Sequence, residues 1–140
     1  GELRMVPLKQ SFQKLSRAVK AMIEDAGLHM VFSTVGESTE LSKEIADDII
    51  VPLAEIVECM LSGFASGSEN EKNKLGNIEV VAYKKDNTVI IEINNSKMPA
   101  VPDRSKKFEQ VQAKIKKLNG RLEYEELDDD GCKVKIILLP

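Results

Sequence analysis

The sequence predicts an α+β fold, a two-layer α/β sandwich in which helices cover one face of a mixed β-sheet. Three segments carry apolar residues at spacings of three and four, which is typical of amphipathic helices. Two pairs of alternating segments meet at turn-forming residues, which predicts β-hairpins. The chain has 140 residues, of which 42% are hydrophobic, and this suits a single domain with one core.

The first half of the chain predicts a helix, a strand and two further helices. The first helix covers residues 10 to 25 and ends near Gly27, which suits a helix C-cap. Residues 29 to 35 form the strand, and Ser42 is expected to cap the next helix. Because Pro52 interrupts the following apolar run, we expect a short helix to about Ile50 and a second helix with Pro52 in its first turn. The apolar stripe of the first helix consists of Phe12, Leu15, Val19, Met22 and Ile23.

The second half predicts two hairpins separated by one helix. Polar residues 65 to 76 indicate a mobile surface loop. The first hairpin turns at Asp86 and Asn87, and its second strand is expected to stop at Asn94. A helix follows from about 103 to 119, with Gly120 as its C-cap. Its inner stripe is Phe108, Val111, Ile115 and Leu118, and the last hairpin turns at Asp128, Asp129, Asp130 and Gly131.

Composition excludes several classes of function. The formal net charge is -3 and aromatic residues make up 4% of the chain, with no Trp, so we expect no nucleic-acid binding. The two cysteines and the single His29 lack metal-ligand spacing, and we expect neither a metal site nor a disulfide. No apolar run approaches the ~18 residues that span a bilayer, so the sequence predicts a cytoplasmic protein without membrane insertion.

Charged clusters along the chain have ordinary structural interpretations. The three aspartates before Gly131 are expected in a solvated turn. The cations near the last helix favour its outer, solvated face, and a docking surface for an acidic partner is the alternative. These cations are Arg104, Lys106, Lys107, Lys114, Lys116 and Lys117.

Four stretches, taken in order, resemble the ATPase domain of the chemotaxis histidine kinase CheA, a member of the GHKL (Bergerat-fold) family. "LRMVPLKQSFQKLSRAV" is similar to the segment that leads from the dimerisation helices into the catalytic domain. "ESTELSKEIADDIIVPLAEIVECML" resembles the helix of the nucleotide-binding N-box. "NTVIIEINNSK" and "LNGRLEYEELDDDGCKVKIILLP" resemble the strand of the G1 box and the closing hairpin. The resemblance implies that residues 1–8 end a linker and that residues 9–140 form one histidine-kinase-like ATPase domain.

The resemblance also implies an ATP site, from which this sequence departs at the N-box. Intact family members hold Mg²⁺ and the phosphates with an asparagine, and that position falls on Cys59. An aspartate three residues later in the family falls on Ser62. A neutral thiol is a poor ligand for Mg²⁺, which prefers oxygen. From the residues alone, Cys59 on an apolar helix face is an inert buried thiol.

The G1 box departs from the family as well. Its adenine-binding aspartate corresponds to Asn95, and its two glycines correspond to Ser96 and Met98. The hydroxyl that follows the last turn glycine corresponds to Cys132. Residues 99 to 108 contain no glycine, so the glycine-rich ATP lid is expected to be missing. These six positions, Cys59, Ser62, Asn95, Ser96, Met98 and Cys132, are therefore interpreted as a vestigial nucleotide site.

The resemblance implies a degenerate domain of a two-component signalling protein, with no catalytic residues and no ATP or Mg²⁺ as cofactors. Its partners would be flanking kinase domains, a second copy in a homodimer, and coupling or receptor proteins. The alternative is a divergent histidine kinase domain that still binds nucleotide and supports ATP-dependent histidine phosphorylation. A third alternative, without the family history, is a small α/β domain that binds an unknown protein.

Overall fold

The computed structural model describes residues 4–65, 75–96, 106–127 and 131–139. Met98, Arg104, the three aspartates 128–130 and most of the predicted loop at 65–76 lie outside these ranges. The helices in the described part are α1 (Lys9–Ala26), α2 (Lys43–Asp48), α3 (Ile50–Ala65) and α4 (Lys106–Lys117). The strands are β1 (Met5–Pro7), β2 (Met30–Val35), β3 (Glu40–Ser42), β4 (Gly76–Lys85), β5 (Thr88–Ser96), β6 (Gly120–Glu126) and β7 (Cys132–Leu138).

Five strands form a mixed sheet in the order β2-β4-β5-β7-β6. The edge strand β2 is parallel to β4, and the three other neighbouring pairs are antiparallel. β1 and β3 form a separate antiparallel pair. The predicted fold class is confirmed, whereas the two three-residue strands were not predicted. The domain boundary at residue 8 stays a prediction, and β1, which lies before it, pairs with β3.

The core lies between the helices and one face of the five-stranded sheet. Along β5, Val89, Ile91, Ile93 and Asn95 are buried at alternate positions, which is the period of a strand with one covered face. The helices contribute the stripes that the sequence predicted: Phe12, Leu15 and Val19 from α1, and Phe108, Val111 and Ile115 from α4, all almost fully buried. Helices therefore cover one face, and none of the described helices packs on the opposite face, which carries half-buried side chains such as Glu92 and Asn94; we call it the open face.

The predicted helix ends are mostly confirmed. Gly27 adopts a left-handed φ of 63° and its N–H donates to the carbonyl of Glu24. The Ser42 hydroxyl accepts a hydrogen bond from the backbone N–H of Ile45 at 3.4 Å. Pro52 is the third residue of α3, within its first turn. Three of the four predicted helix-end signals are therefore confirmed.

Two boundary predictions are wrong. β5 does not stop at Asn94 but continues to Ser96, because the ladders to β4 and β7 extend past it. Gly120 is not the C-cap of α4. Asn119 takes the left-handed conformation with φ of 58°, and Gly120 begins β6. A side chain at Gly120 would lie only 2.8 Å from a methyl of Leu138, so the glycine allows close packing.

The turn between β2 and β3 ties three elements together. Gly36 has φ of 93°, and a Cβ at this position would overlap the backbone carbonyl oxygen of Ala82 in β4. Thr39 donates from its hydroxyl to the same oxygen at 3.3 Å. The carbonyl of Thr39 accepts from the N–H of Leu8, just before α1. This turn therefore holds the start of α1 against the sheet.

Candidate functional site

Two of the predicted nucleotide-site residues, Asn95 and Cys132, are brought together directly. They face each other in the antiparallel ladder between the end of β5 and the start of β7. The Asn95 side chain is 2% exposed, and its Oδ1 accepts a hydrogen bond from the Cys132 backbone N–H at 2.9 Å. Its Nδ2 lies 2.9 Å from the Cys132 Sγ and donates to it. The Asn95 amide thus links β5 to β7, and its two contacts with Cys132 fix its orientation.

This pair explains how a polar side chain is accommodated on the core face. A buried amide without partners would cost free energy, and Cys132 supplies a partner for each end of it. The Cys132 side chain is itself fully buried and belongs to the core. The sequence identified both positions from the resemblance but did not indicate that they bond to each other.

The remaining predicted positions are more dispersed. Ser62 is exposed on the last turns of α3, and Ser96 is half-buried at the end of β5 on the opposite face from Asn95. Met98 lies outside the described residues. Cys59 is half-buried rather than fully buried, and it packs at the border of the core.

The chemistry of Cys59 follows from its surroundings. Partial burial raises the pKa of the thiol, and the negative charge of Glu55, one turn earlier on α3, raises it further. The thiol is therefore protonated at neutral pH. A protonated thiol is neither a strong nucleophile nor a ligand for a hard cation.

Part of the basic stretch near α4 packs against α3 instead of facing only solvent. Lys114 Nζ lies 2.5 Å from Glu55 Oε1, and Lys107 pairs with Glu58. Both lysine side chains are still about two fifths exposed, at 40% for Lys107 and 44% for Lys114, so they lie on the predicted solvated face and pair there with carboxylates of the neighbouring helix. Lys106, Lys116 and Lys117 remain exposed without such partners in the described residues.

The open face of the sheet carries a polar network that the sequence analysis missed. The Tyr83 hydroxyl on β4 donates to Glu92 on β5, and Lys133 on β7 approaches Glu92 Oε1 at 3.3 Å. The hydrogen bond to Glu92 raises the pKa of Tyr83 to about 12. Burial alone would raise the pKa of Glu92, but hydrogen bonds from Tyr83 and Lys133 and the charge of Lys135 hold it below its usual value. The alternation of polar residues along the hairpin strands is the sequence signal that could have predicted this network.

His29 is exposed just before β2, and its carbonyl accepts a hydrogen bond from the N–H of Gly76. Across the described ranges, no three His, Cys, Asp or Glu side chains group as metal ligands. None of the helices in these ranges is both long and apolar enough to cross a membrane.

Comparison with known sequences finds chemotaxis kinases, although no protein-family model matches the chain. CheA of Salmonella typhimurium is 29% identical over 97 residues, and CheA of Listeria monocytogenes is 28% identical over 95 residues. The sensor histidine kinase CheAY of Helicobacter pylori is 30% identical over 97 residues. These matches cover 65% to 66% of this chain but only 12% to 15% of the relatives, so the chain spans a small part of their length.

Comparison with solved structures extends the likeness of fold over nearly the whole chain. The nucleotide-free catalytic domain of the histidine kinase ThkA matches with a TM-score of 0.72 at 14% identity, over 99% of this chain and 96% of that one. The histidine kinase domain of the blue-light activated kinase EL346 of Erythrobacter litoralis matches with a TM-score of 0.71 at 14% identity, over 95% and 65%. The chain is thus similar to CheA in sequence over about two thirds of its length, and it has the fold of histidine kinase catalytic domains, the GHKL fold, over nearly its whole length.

Proposed function

We propose that this domain does not bind Mg-ATP productively and acts as an interaction module in a signalling protein of the CheA type. The observation that carries the proposal is the Asn95–Cys132 pair. In the family, an acceptor-only carboxylate at this strand end receives the adenine amino group. Here an amide takes its place, and both of its polar atoms already bond to Cys132.

The N-box positions support the same proposal. Cys59 offers a protonated thiol where the family has a Mg²⁺-binding amide oxygen, and its raised pKa keeps it neutral. Ser62 offers an exposed hydroxyl where the family has a carboxylate. Each missing polar partner typically costs ~1–3 kcal/mol. Three such losses would weaken nucleotide binding by at least about a hundredfold.

The role would then lie in protein contacts. Flanking domains of the parent protein, a second copy of the chain, or coupling and receptor proteins of a chemotaxis-type array are the partners that the CheA similarity suggests. A cytoplasmic location would follow from such an array. Histidine phosphorylation would be carried out elsewhere.

Isothermal titration of the domain with ATP and ADP, with and without Mg²⁺, tests the proposal. We expect no saturable heat at concentrations that detect millimolar affinity, and no shift of the melting temperature. The matched comparison is a variant carrying Cys59→Asn, Asn95→Asp and Cys132→Thr, which restores the family's residue types at three positions. Micromolar, Mg²⁺-dependent binding by the unmodified domain would refute the proposal.

A second candidate is a divergent domain that still binds nucleotide weakly. It is favoured by the second lone pair of Asn95 Oδ1, since only one hydrogen bond to that oxygen is found among the described residues. If the unmodified domain gives a Mg²⁺-dependent signal, Asn95→Ala should abolish it. A signal that survives Asn95→Ala would place the nucleotide elsewhere in the domain.

A further inference from the structure

A surface groove of about 300 Å³ lies between the residues before α1, helix α1 and helix α2, and none of the six nucleotide-site positions lines it. Four cations line it, namely Arg4 before β1, Lys9 and Lys14 on α1, and Lys43 on α2, and we refer to it as the basic groove. The three elements are joined at its base. Lys43 N–H donates to the Arg4 carbonyl at 2.7 Å, and the buried Ser11 hydroxyl donates to the Ala46 carbonyl at 2.7 Å.

The charges of the basic groove are largely uncompensated. Only Asp47 lies among the lining residues as an anion, and it pairs with Lys43 at 2.7 Å. The pKa of Asp47 is lowered by that hydrogen bond and by the charges of Lys43 and Lys14. Among the described residues, Arg4, Lys9 and Lys14 have neither a salt bridge nor a side-chain hydrogen bond. Three cations without an ion pair among the described residues therefore line one groove of a chain whose formal net charge is -3, and Asp47 is the one lining carboxylate that Lys14 influences.

The first turn of helix α1 carries a cation, Lys9, at the positive end of the helix dipole. Lys14 follows in the second turn, and the first acidic residue of the helix is Glu24. Neither an acidic residue in the first turn nor a side-chain cap offsets this. Cations near a helix N-terminus are unfavourable, and departures from local rules of this kind concentrate at functional surfaces. An anion bound in the groove would offset the unfavourable electrostatic energy of these cations.

We infer that the basic groove binds an acidic segment of a partner protein. Carboxylates of the segment would face Arg4, Lys9 and Lys14, and an apolar side chain would rest on the half-buried Val6 and Ile50, which line the same groove. Because the groove is lined by cations, electrostatic complementarity favours a partner segment that carries carboxylates. This inference concerns a different surface from the nucleotide site and does not depend on the proposed loss of ATP binding.

The arrangement of the cations favours an extended acidic chain over a compact anion. The cations come from three elements, and Lys9 and Lys14 are separated by about 7.5 Å along the helix axis. A single phosphate is usually held by donors that converge on one point. Nucleic acid is disfavoured because no aromatic side chain lines the groove and the net charge of the chain is negative.

The inference can be tested by fluorescence anisotropy with a labelled peptide of about sixteen residues that repeats Glu-Leu-Glu-Glu, and a matched peptide with Gln for Glu. We expect the acidic peptide to bind with Kd below about 100 µM at low salt, and the Gln peptide at least tenfold more weakly. Binding should weaken when salt is raised, because exposed ion pairs are screened.

The double variant Lys9→Glu with Lys14→Glu should raise Kd at least fivefold. Lys84→Glu with Lys85→Glu, at the exposed end of the β4–β5 hairpin, makes the same change of net charge and should leave Kd within twofold. The groove variant should keep a melting temperature close to that of the unmodified domain, since Lys9 and Lys14 are both exposed and Glu suits the first position of the helix, so a loss of binding would not reflect unfolding.

Three results would overturn the inference. The first is equal loss of binding in both variants, which would indicate a response to net charge alone. The second is equal binding of the Gln peptide. The third is a stronger interaction of the groove with inorganic phosphate, a short DNA duplex or anionic vesicles than with the acidic peptide.

Discussion

Replacing Asn95 by alanine tests whether the amide joins β5 to β7. The substitution removes the acceptor for the Cys132 backbone N–H and the donor to its Sγ, both at 2.9 Å. Cys132 is fully buried and Asn95 is 2% exposed, so water could not readily replace the lost partner. An unsatisfied buried donor costs ~1–3 kcal/mol, and the weaker contact to sulfur adds a little, so we expect a loss of about 2 kcal/mol in the free energy of unfolding.

Urea denaturation followed by far-ultraviolet circular dichroism measures this difference, because the chain has no Trp for fluorescence. A loss of about 2 kcal/mol should lower the melting temperature by roughly 7 °C in a domain of this size. The urea dependence of the unfolding free energy should not change, since the folded state keeps its compactness.

Asn94→Ala is the matched control. The same residue type occupies the neighbouring position on β5, half-buried on the open face, and its buried Oδ1 has no hydrogen-bond partner among the described residues, so alanine removes no hydrogen bond to that oxygen. We expect Asn94→Ala to change the unfolding free energy by less than about 0.5 kcal/mol. If Asn95→Ala were equally mild, or if both substitutions cost the same, the structural role assigned to the Asn95 amide would be wrong.

Three further outcomes are expected. In a spectrophotometric titration Tyr83 should ionise near pH 12, and Glu92→Gln should bring the pKa of Tyr83 back toward 10. The stability that the Tyr83–Glu92 hydrogen bond contributes is complete below pH 10 and should be lost between pH 10 and 12. Gly36→Ala should cost at least about 3 kcal/mol because its Cβ would overlap a backbone oxygen, whereas Gly27→Ala, with open space around it, should cost only ~1 kcal/mol of left-handed strain; equal losses in thermal unfolding would contradict this. Alkylation of Cys59 by iodoacetamide should need a more alkaline pH than alkylation of a free cysteine, and a midpoint below that of free cysteine would show an activated thiol.

The longer elements could be predicted because their signals are local. The stripe of α1 runs from Phe12 to Ile23, about three turns, and the helix ends at a glycine with the expected left-handed conformation. The turn at Asp86 and Asn87 sits between alternating segments, and Asp86 indeed has φ of 54°. Ser42 and Pro52 mark helix starts by chemistry that depends on neighbouring residues alone.

The features that were missed depend on contacts distant in sequence. β1 and β3 have three residues each, too few for a period to emerge, and they exist because they pair with each other. β5 continues past Asn94 because β4 and β7 extend alongside it. Asn119 takes the left-handed position since the following Gly120 is needed for close contact with Ile115 and Leu138.

The resemblance grouped six positions of the candidate site, and their role in nucleotide binding stays a prediction. The resemblance placed Asn95 and Cys132 in one pocket, and they lie opposite each other. The amide bonds to both the backbone and the thiol of Cys132 because of its side-chain orientation. A sequence pattern does not predict that orientation. The basic groove was missed because Arg4, Lys9 and Lys43 are scattered singly along the sequence and meet only in the fold.

The edge strand β2 has a practical consequence for handling the domain. Its six residues include no charge and no proline, and Val31 and Val35 are each 49% exposed. The opposite edge, β6, is protected by Arg121 and several glutamates, which discourage pairing with another chain. Among the described strands, β2 is therefore where self-association at high protein concentration should begin. A single lysine at Val31 or Val35 would extend the solubility range in which weak ligands can be studied.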